Sequence, residues 1–133
     1  MIKEYRTEFY SIDVDKARNL IVIKPIGFWP SVDVVPNYKP TIFDAIDNQL
    51  SKDFRVIYDV SEMKVHPNEV RDEIHIKGVI EILKRKPSAT VVVSPTSSIA
   101  RIQIDFIRKN SSDLATKHFD NLDDAIAFFD TKK

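Results

Sequence analysis

Two apolar runs joined by a short polar turn open the chain, and from there segments with strand-like and helix-like periodicity alternate to the C-terminus. Tyr10, Ile12 and Val14 alternate with Ser11 and Asp13, the period-two pattern of a strand with one buried face. After the polar stretch Asp15–Asn19, Leu20–Ile23 is apolar without alternation, as in a strand covered on both faces, and Pro25 with Gly27 ends it. The two runs form a hairpin. Pro36 and Pro40 both suit a first helical turn ahead of Ile42, Phe43, Ile46 and Leu50, which share one helical stripe. Arg55–Asp59 is the next strand; because a helix joins it to the strand at Leu20, the two run parallel with a right-handed crossover.

The second half continues the alternation. Residues 68–86 are helical in composition but carry two stripes: Ile76, Val79, Ile80 and Leu83 on one face, Val70 and Ile74 nearly opposite. A break near Gly78 would let each half bury its own stripe. Ala89–Val93 is a β-branched strand, Ser94–Ser98 supplies capping hydroxyls, and a helix from Ile99 to Lys109 follows. Its apolar residues, Ile99, Ala100, Ile102, Ile104, Phe106 and Ile107, cover about 200°, wider than a core-facing stripe of about 100°. A short strand from Thr116 to Phe119 precedes a last helix, capped by Asn121 and buried through Leu122, Ala125, Ile126 and Phe129. The order β-β-α-β-α-β-α-β-α predicts an α/β fold, a mixed and mostly parallel sheet with an N-terminal β-hairpin, in one domain over residues 8–130. Residues 1–7 and 131–133 are read as terminal extensions.

Composition excludes several functions. The 133 residues suffice for one core but not two. With 20 basic and 20 acidic side chains there is no net field to displace phosphate counterions, so nucleic-acid binding is not expected. The one basic cluster, Lys84-Arg85-Lys86, suits a solvated helix C-terminus. Cysteine is absent, which removes thiolate catalysis and zinc–thiolate sites. His66, His75 and His118 lack metal-ligand spacing, and two glycines cannot build a P-loop or dinucleotide fingerprint. A Ser61–His66 nucleophile pair has no glycine-flanked elbow to carry it. No catalytic residue, metal or cofactor is therefore expected, and the chain is read as a non-enzyme. It has no apolar leader and no run of about 18 apolar residues, so a cytoplasmic location without membrane contact is the expectation.

The element order, the stretch Val56-Ile57-Tyr58-Asp59-Val60-Ser61 and the closing Phe119-Asp120-Asn121-Leu122-Asp123-Asp124-Ala125 resemble the STAS domain of bacterial anti-sigma-factor antagonists and sulphate transporters, in particular its small stand-alone SpoIIAA-like branch. The resemblance spans Phe9 to Phe129 and implies a bacterial regulatory module that works by protein contact. It also implies a phosphorylatable serine where the second main helix begins. Here that stretch reads Met63-Lys64-Val65-His66-Pro67-Asn68-Glu69, and no Ser or Thr occurs between Ser61 and Ser88, so the usual phosphoswitch is missing.

In a parallel sheet, loops at the strand carboxyl ends gather on one edge and favour ligands there. The candidates on that edge are Phe28 and Trp29, Asp59 and Ser61, and Thr96 and Ser97 with Arg101. Trp29 either lines an apolar pocket or caps the sheet end. The hydroxyls either bind an anion at a helix N-terminus, with Arg101 as its charge partner, or simply cap the helix. Asp59 is either a ligand contact or the polar end of a strand. Surplus apolar surface at Val70, Ile74, Ala100 and Ile104 points to an interface, with a protein partner or with a second copy as a homodimer. The rival expectation is a carrier for an amphipathic or anionic small ligand under Trp29.

Overall fold

The computed structural model describes residues 2–95, 97–111 and 117–131. Its framework is a six-stranded sheet whose spatial order follows the chain: β1 (Ile2–Arg6), β2 (Tyr10–Asp15), β3 (Leu20–Pro25), β4 (Arg55–Asp59), β5 (Ala89–Val93) and β6 (Lys117–Phe119). The first three strands pair antiparallel and the rest parallel. Leu20 stands opposite Arg55, and Arg55 opposite Ala89, so the three central strands lie side by side in one direction, as their continuous apolar character required. The hairpin register sets Ile12 against Ile23 and Asp15 against Leu20. At its turn Asn19 adopts φ 52° and its side chain bonds the backbone of Ser51 and Lys52, tying the hairpin to the loop before β4.

Two differences from the sequence reading lie in the first half. Residues 2–6, expected as an extension, pair with β2 as β1; Lys3, Glu4 and Arg6 put charge on this edge strand, which masks both its apolar periodicity and its open backbone. β2 also buries Ser11 and Asp15 of its polar set, the latter by accepting two bonds from Arg18.

Helices cover the sheet unequally. α1 (Tyr38–Asn48), with Pro40 in its first turn, packs with the following helical segment and with α4 (Ser98–Asn110) on the face formed by Ile12, Val14, Ile21, Ile23, Val56, Tyr58 and Val92. On the opposite face α5 (Leu122–Thr131) sets Ala125 and Phe129 over Leu20, Val22, Ile57, Val91 and Val93. Asn121 caps α5 as its sequence suggested, accepting from the Asp124 backbone at 2.9 Å. β6 matches the expected short strand from Lys117 on; Thr116 lies outside the described residues.

The segment at 68–86 resolves its phase conflict without breaking at Gly78. α2 (Asn68–Val70) runs into a π-helical stretch, Arg71–Ile76, and then α3 (Lys77–Lys84). A wider turn absorbs one extra residue, so Val70, Ile74, His75, Gly78, Val79 and Ile82 all face inward. The helix passes Gly78 uninterrupted.

Candidate functional site

The parallel strands bring their carboxyl-end loops together in register. Gly27, at φ 70°, bridges Met63 through bonds from its N–H to Glu62 and from Lys64 to its carbonyl. Val60 donates to Val93, and Ser94 to Phe119. These pairings make one continuous rim beyond β3, β4, β5 and β6.

Beneath the rim runs a row of buried polar side chains. The Nε2 of His66 lies 3.0 Å from the Gly27 carbonyl, its Nδ1 lies 2.9 Å from His75 Nε2, and His75 Nδ1 lies 2.7 Å from the Tyr58 hydroxyl. A carbonyl only accepts, so His66 carries its proton on Nε2 and leaves Nδ1 as an acceptor. His75 must then donate from Nε2 and accept at Nδ1 from Tyr58. Burial holds the Tyr58 phenol, and that of neighbouring Tyr38, above the ordinary range, so Tyr58 keeps the proton it donates to His75. One carbonyl thus fixes the direction of every bond in the row.

Both imidazoles sit against Trp29, stacked at centroid distances of 5.0 and 5.1 Å, and Tyr38 meets the same indole edge-on at 4.9 Å. Burial pushes His66 below its ordinary value, opposed by the Gly27 bond, and pushes His75 well below, aided by the neighbouring imidazole. Burial raises both phenols. At neutral pH the row is uncharged.

Trp29 itself is fully buried, its Nε1–H shared between the carbonyls of Phe9 and Ile26 at 2.9 and 3.2 Å. It seals the sheet end instead of opening onto solvent. The space beside Tyr58, His75 and Ile82 amounts to about 10 Å³, too small for any ligand. Asp59 is buried and accepts from Ser61 Oγ at 2.6 Å and from its N–H at 3.1 Å, a local turn in which Ser61 faces Asp59 and has no bond to His66. Ser97 caps α4 through Ala100, and Arg101 donates to the Pro95 carbonyl at 2.9 Å. Thr96 lies outside the described residues. Val70, Ile74, Ala100 and Ile104, expected at an interface, are all buried within the fold.

Exposed apolar surface lies elsewhere on the same rim. Of the six large hydrophobic side chains exposed among the described residues, five belong to it: Phe28 (50 %), Val65 (38 %), Ile99 (68 %), Ile102 (70 %) and Phe106 (42 %). The segments that carry them are bonded to one another. Gln103 of α4 clasps the main chain of His66 with two 2.9 Å bonds, which ties the Val65–His66 loop to the helix that carries Ile99, Ile102 and Phe106. Phe28 meets His66 edge-on at 6.3 Å, and the Arg71 guanidinium lies 4.0 Å over Phe106. The over-wide arc of α4 was the sequence signal for this patch. Ile104 lies on the inward edge of that arc beside the buried polar Gln103, and Ile102 on its outward side.

A cleft of about 320 Å³ opens next to the patch, between Ser94, Pro95, Arg101, Ile104, Asp105, His118 and Asp120. A second groove, along β1 at Ile2, Lys3, Glu4, Val14 and Lys16, lies away from the rim. No set of three or more His, Asp or Glu side chains among the described residues is arranged to hold a metal ion, and no helix among them is long and apolar enough to cross a membrane. No family model and no curated protein matches this chain.

Proposed function

We propose that this chain is a STAS-like, non-enzymatic regulatory module that works by protein contact through the rim patch Phe28–Val65–Ile99–Ile102–Phe106. The observation that carries this reading is that five of the six large hydrophobic side chains exposed among the described residues sit on α4 and on the two loops bonded to it in turn, where scattered ones are the rule on a monomer surface. Charge suggests the partner's chemistry. Lys64 adjoins Val65 and Lys109 follows Phe106, whereas Asp72 and Asp105 are already paired with Arg71 and Arg108. An apolar ridge fringed by carboxylates complements such a surface, and a second copy, bringing the same lysines, does not. A hetero-partner is therefore favoured over the homodimer.

The test uses two synthetic amphipathic helical peptides with the same leucine ridge, flanked by Glu in one and Lys in the other. Calorimetry at pH 7.5 is expected to show the Glu peptide binding at least tenfold more tightly and Ile102→Asp abolishing the difference. Equal or absent binding of both peptides would overturn the reading. Light scattering is expected to give a monomer; a dimer dissolved by Ile102→Asp would assign the patch to a second copy.

A small-ligand reading has one observation of its own, the cleft that sets Ser94 and His118 around Arg101. His118 lies 3.4 Å from both Ser94 Oγ and Arg108 Nη1, and the opposing carboxylates of Asp105 and Asp120 line the same space. Titration with inorganic phosphate and sulphate separates the readings: amide shifts confined to Ser94, Arg101 and His118 would favour the cleft.

A further inference from the structure

The clasp that ties the Val65–His66 loop to α4 is made by the main chain of His66, while the side chain of the same residue ends the buried polar row. Patch and row therefore share one residue. Resting on the partner reading above, we propose that proton uptake by the His66–His75 pair releases residues 64–67 from α4, dismantles the rim patch and so switches partner binding off as pH falls below neutral.

The bond directions supply the reason. With one carbonyl at its end, the neutral row is satisfied in one sense only. A second proton on His66 turns Nδ1 into a donor facing the His75 donor 2.9 Å away. Keeping it in place requires His75 to move its proton to Nδ1 and Tyr58 to turn its hydroxyl hydrogen away from that nitrogen, leaving a cation in an apolar pocket. The rings packed around it are Tyr58 from β4, Tyr38 from α1, the Trp29 indole and Phe28, with Tyr10 of β2 behind Trp29 and Tyr38. None of them is a carboxylate. The charged groups of the adjoining elements have other partners: Asp59, the buried carboxylate after Tyr58 on β4, accepts from Ser61; Lys39 bonds the Glu73 carbonyl, Glu73 pairs with Lys77, Arg71 with Asp72, Arg101 with the Pro95 carbonyl and Asp105 with Arg108. Lys64, two residues before His66, is exposed. With no counter-ion inside, the cheaper response is for His66 to turn out past Phe28 into water. That movement carries the main chain off Gln103.

The first arm of the test needs no partner. Hydrogen exchange on the free protein is expected to show the His66 amide, bonded to Gln103, losing protection by roughly three- to tenfold between pH 7.5 and 5.5 after correction for intrinsic exchange, with α1 and β4 unchanged. Trp29 emission should fall over the same range as an imidazolium forms beside the indole. In the second arm, the affinity of the Glu-flanked peptide is expected to drop roughly three- to tenfold between those pH values in wild type and by less than twofold in His66→Gln. Gln103→Leu, which removes the clasp and leaves the pair intact, should also flatten the pH dependence. A His66 amide that stays protected until the whole molecule unfolds would overturn the switch whether or not any peptide binds. Peptide binding that ignores pH while the amide opens would overturn its link to the partner surface.

Discussion

His75 is the residue on which the interior depends most, because it has a partner on each ring nitrogen and stacks on the only tryptophan. Replacing it by Phe keeps the volume but orphans His66 Nδ1 and the Tyr58 hydroxyl, and a cost of about 3 kcal/mol in urea unfolding is expected. The same pair makes stability depend on pH. Folding lowers both imidazole pKa values below the ordinary 6.5. Between the folded values and 6.5 the unfolded chain therefore binds more protons, and stability rises with pH there. The contribution is complete above about 6.5 and is lost as pH falls, by at most about 1.4 kcal/mol per pH unit for each imidazole. Urea midpoints at pH 7.5, 6.5 and 5.5 should decline in wild type and decline less in His66→Gln. None of this was legible in the sequence. His66 and His75 are nine apart with Pro67 between them, and only the loop from Gly27 to Trp29, brought from a distant strand end, turns them into a row. Asp59, Ser61 and Ser97 were legible, since short polar side chains at element ends bond their own backbone neighbours wherever the fold places them.

Elements followed the sequence wherever one periodicity held for a whole segment. β3, β4 and β5, apolar without interruption, are central and parallel as read, and α5 lies under them because Leu20, Val22 and Ile57 need a second cover. β1 escaped notice because three of its five residues, Lys3, Glu4 and Arg6, are charged, and the π-helical stretch because its clashing stripes resemble a break. The π stretch makes a specific forecast. Deleting the solvent-facing Glu73 brings Val70, Ile74, His75, Gly78, Val79 and Ile82 to the spacing i, i+3, i+4, i+7, i+8, i+11 of an ordinary helix. The deletion variant should fold cooperatively with stability within about 1 kcal/mol of wild type, against the several kcal/mol expected if the deletion turned Val70 out of the core. Urea unfolding followed by circular dichroism decides between these outcomes.

At the scale of the molecule, α1, the segment at 68–84 and α4 fill one face of the sheet and α5 covers part of the other, and five of the six exposed large hydrophobic side chains among the described residues lie on α4 and the strand-end loops bonded to it. The sequence located this rim through its parallel strands and flagged α4 through its wide arc; it could not show which side of α4 turns outward, because that depends on Gln103 reaching His66. Two substitutions on adjacent faces expose the difference. Ile104→Asp should unfold the protein or cost more than about 4 kcal/mol, whereas Ile102→Asp should stay within about 0.5 kcal/mol of wild type in the same urea assay. The most direct check on a partner surface at the rim is a map of backbone amide shifts as the Glu-flanked peptide is added at pH 7.5. Shifts gathered on Phe28, Val65, Ile99, Ile102 and Phe106 are the expected result. Shifts gathered on Ser94, Arg101 and His118, or spread thinly over the whole sheet, would contradict it.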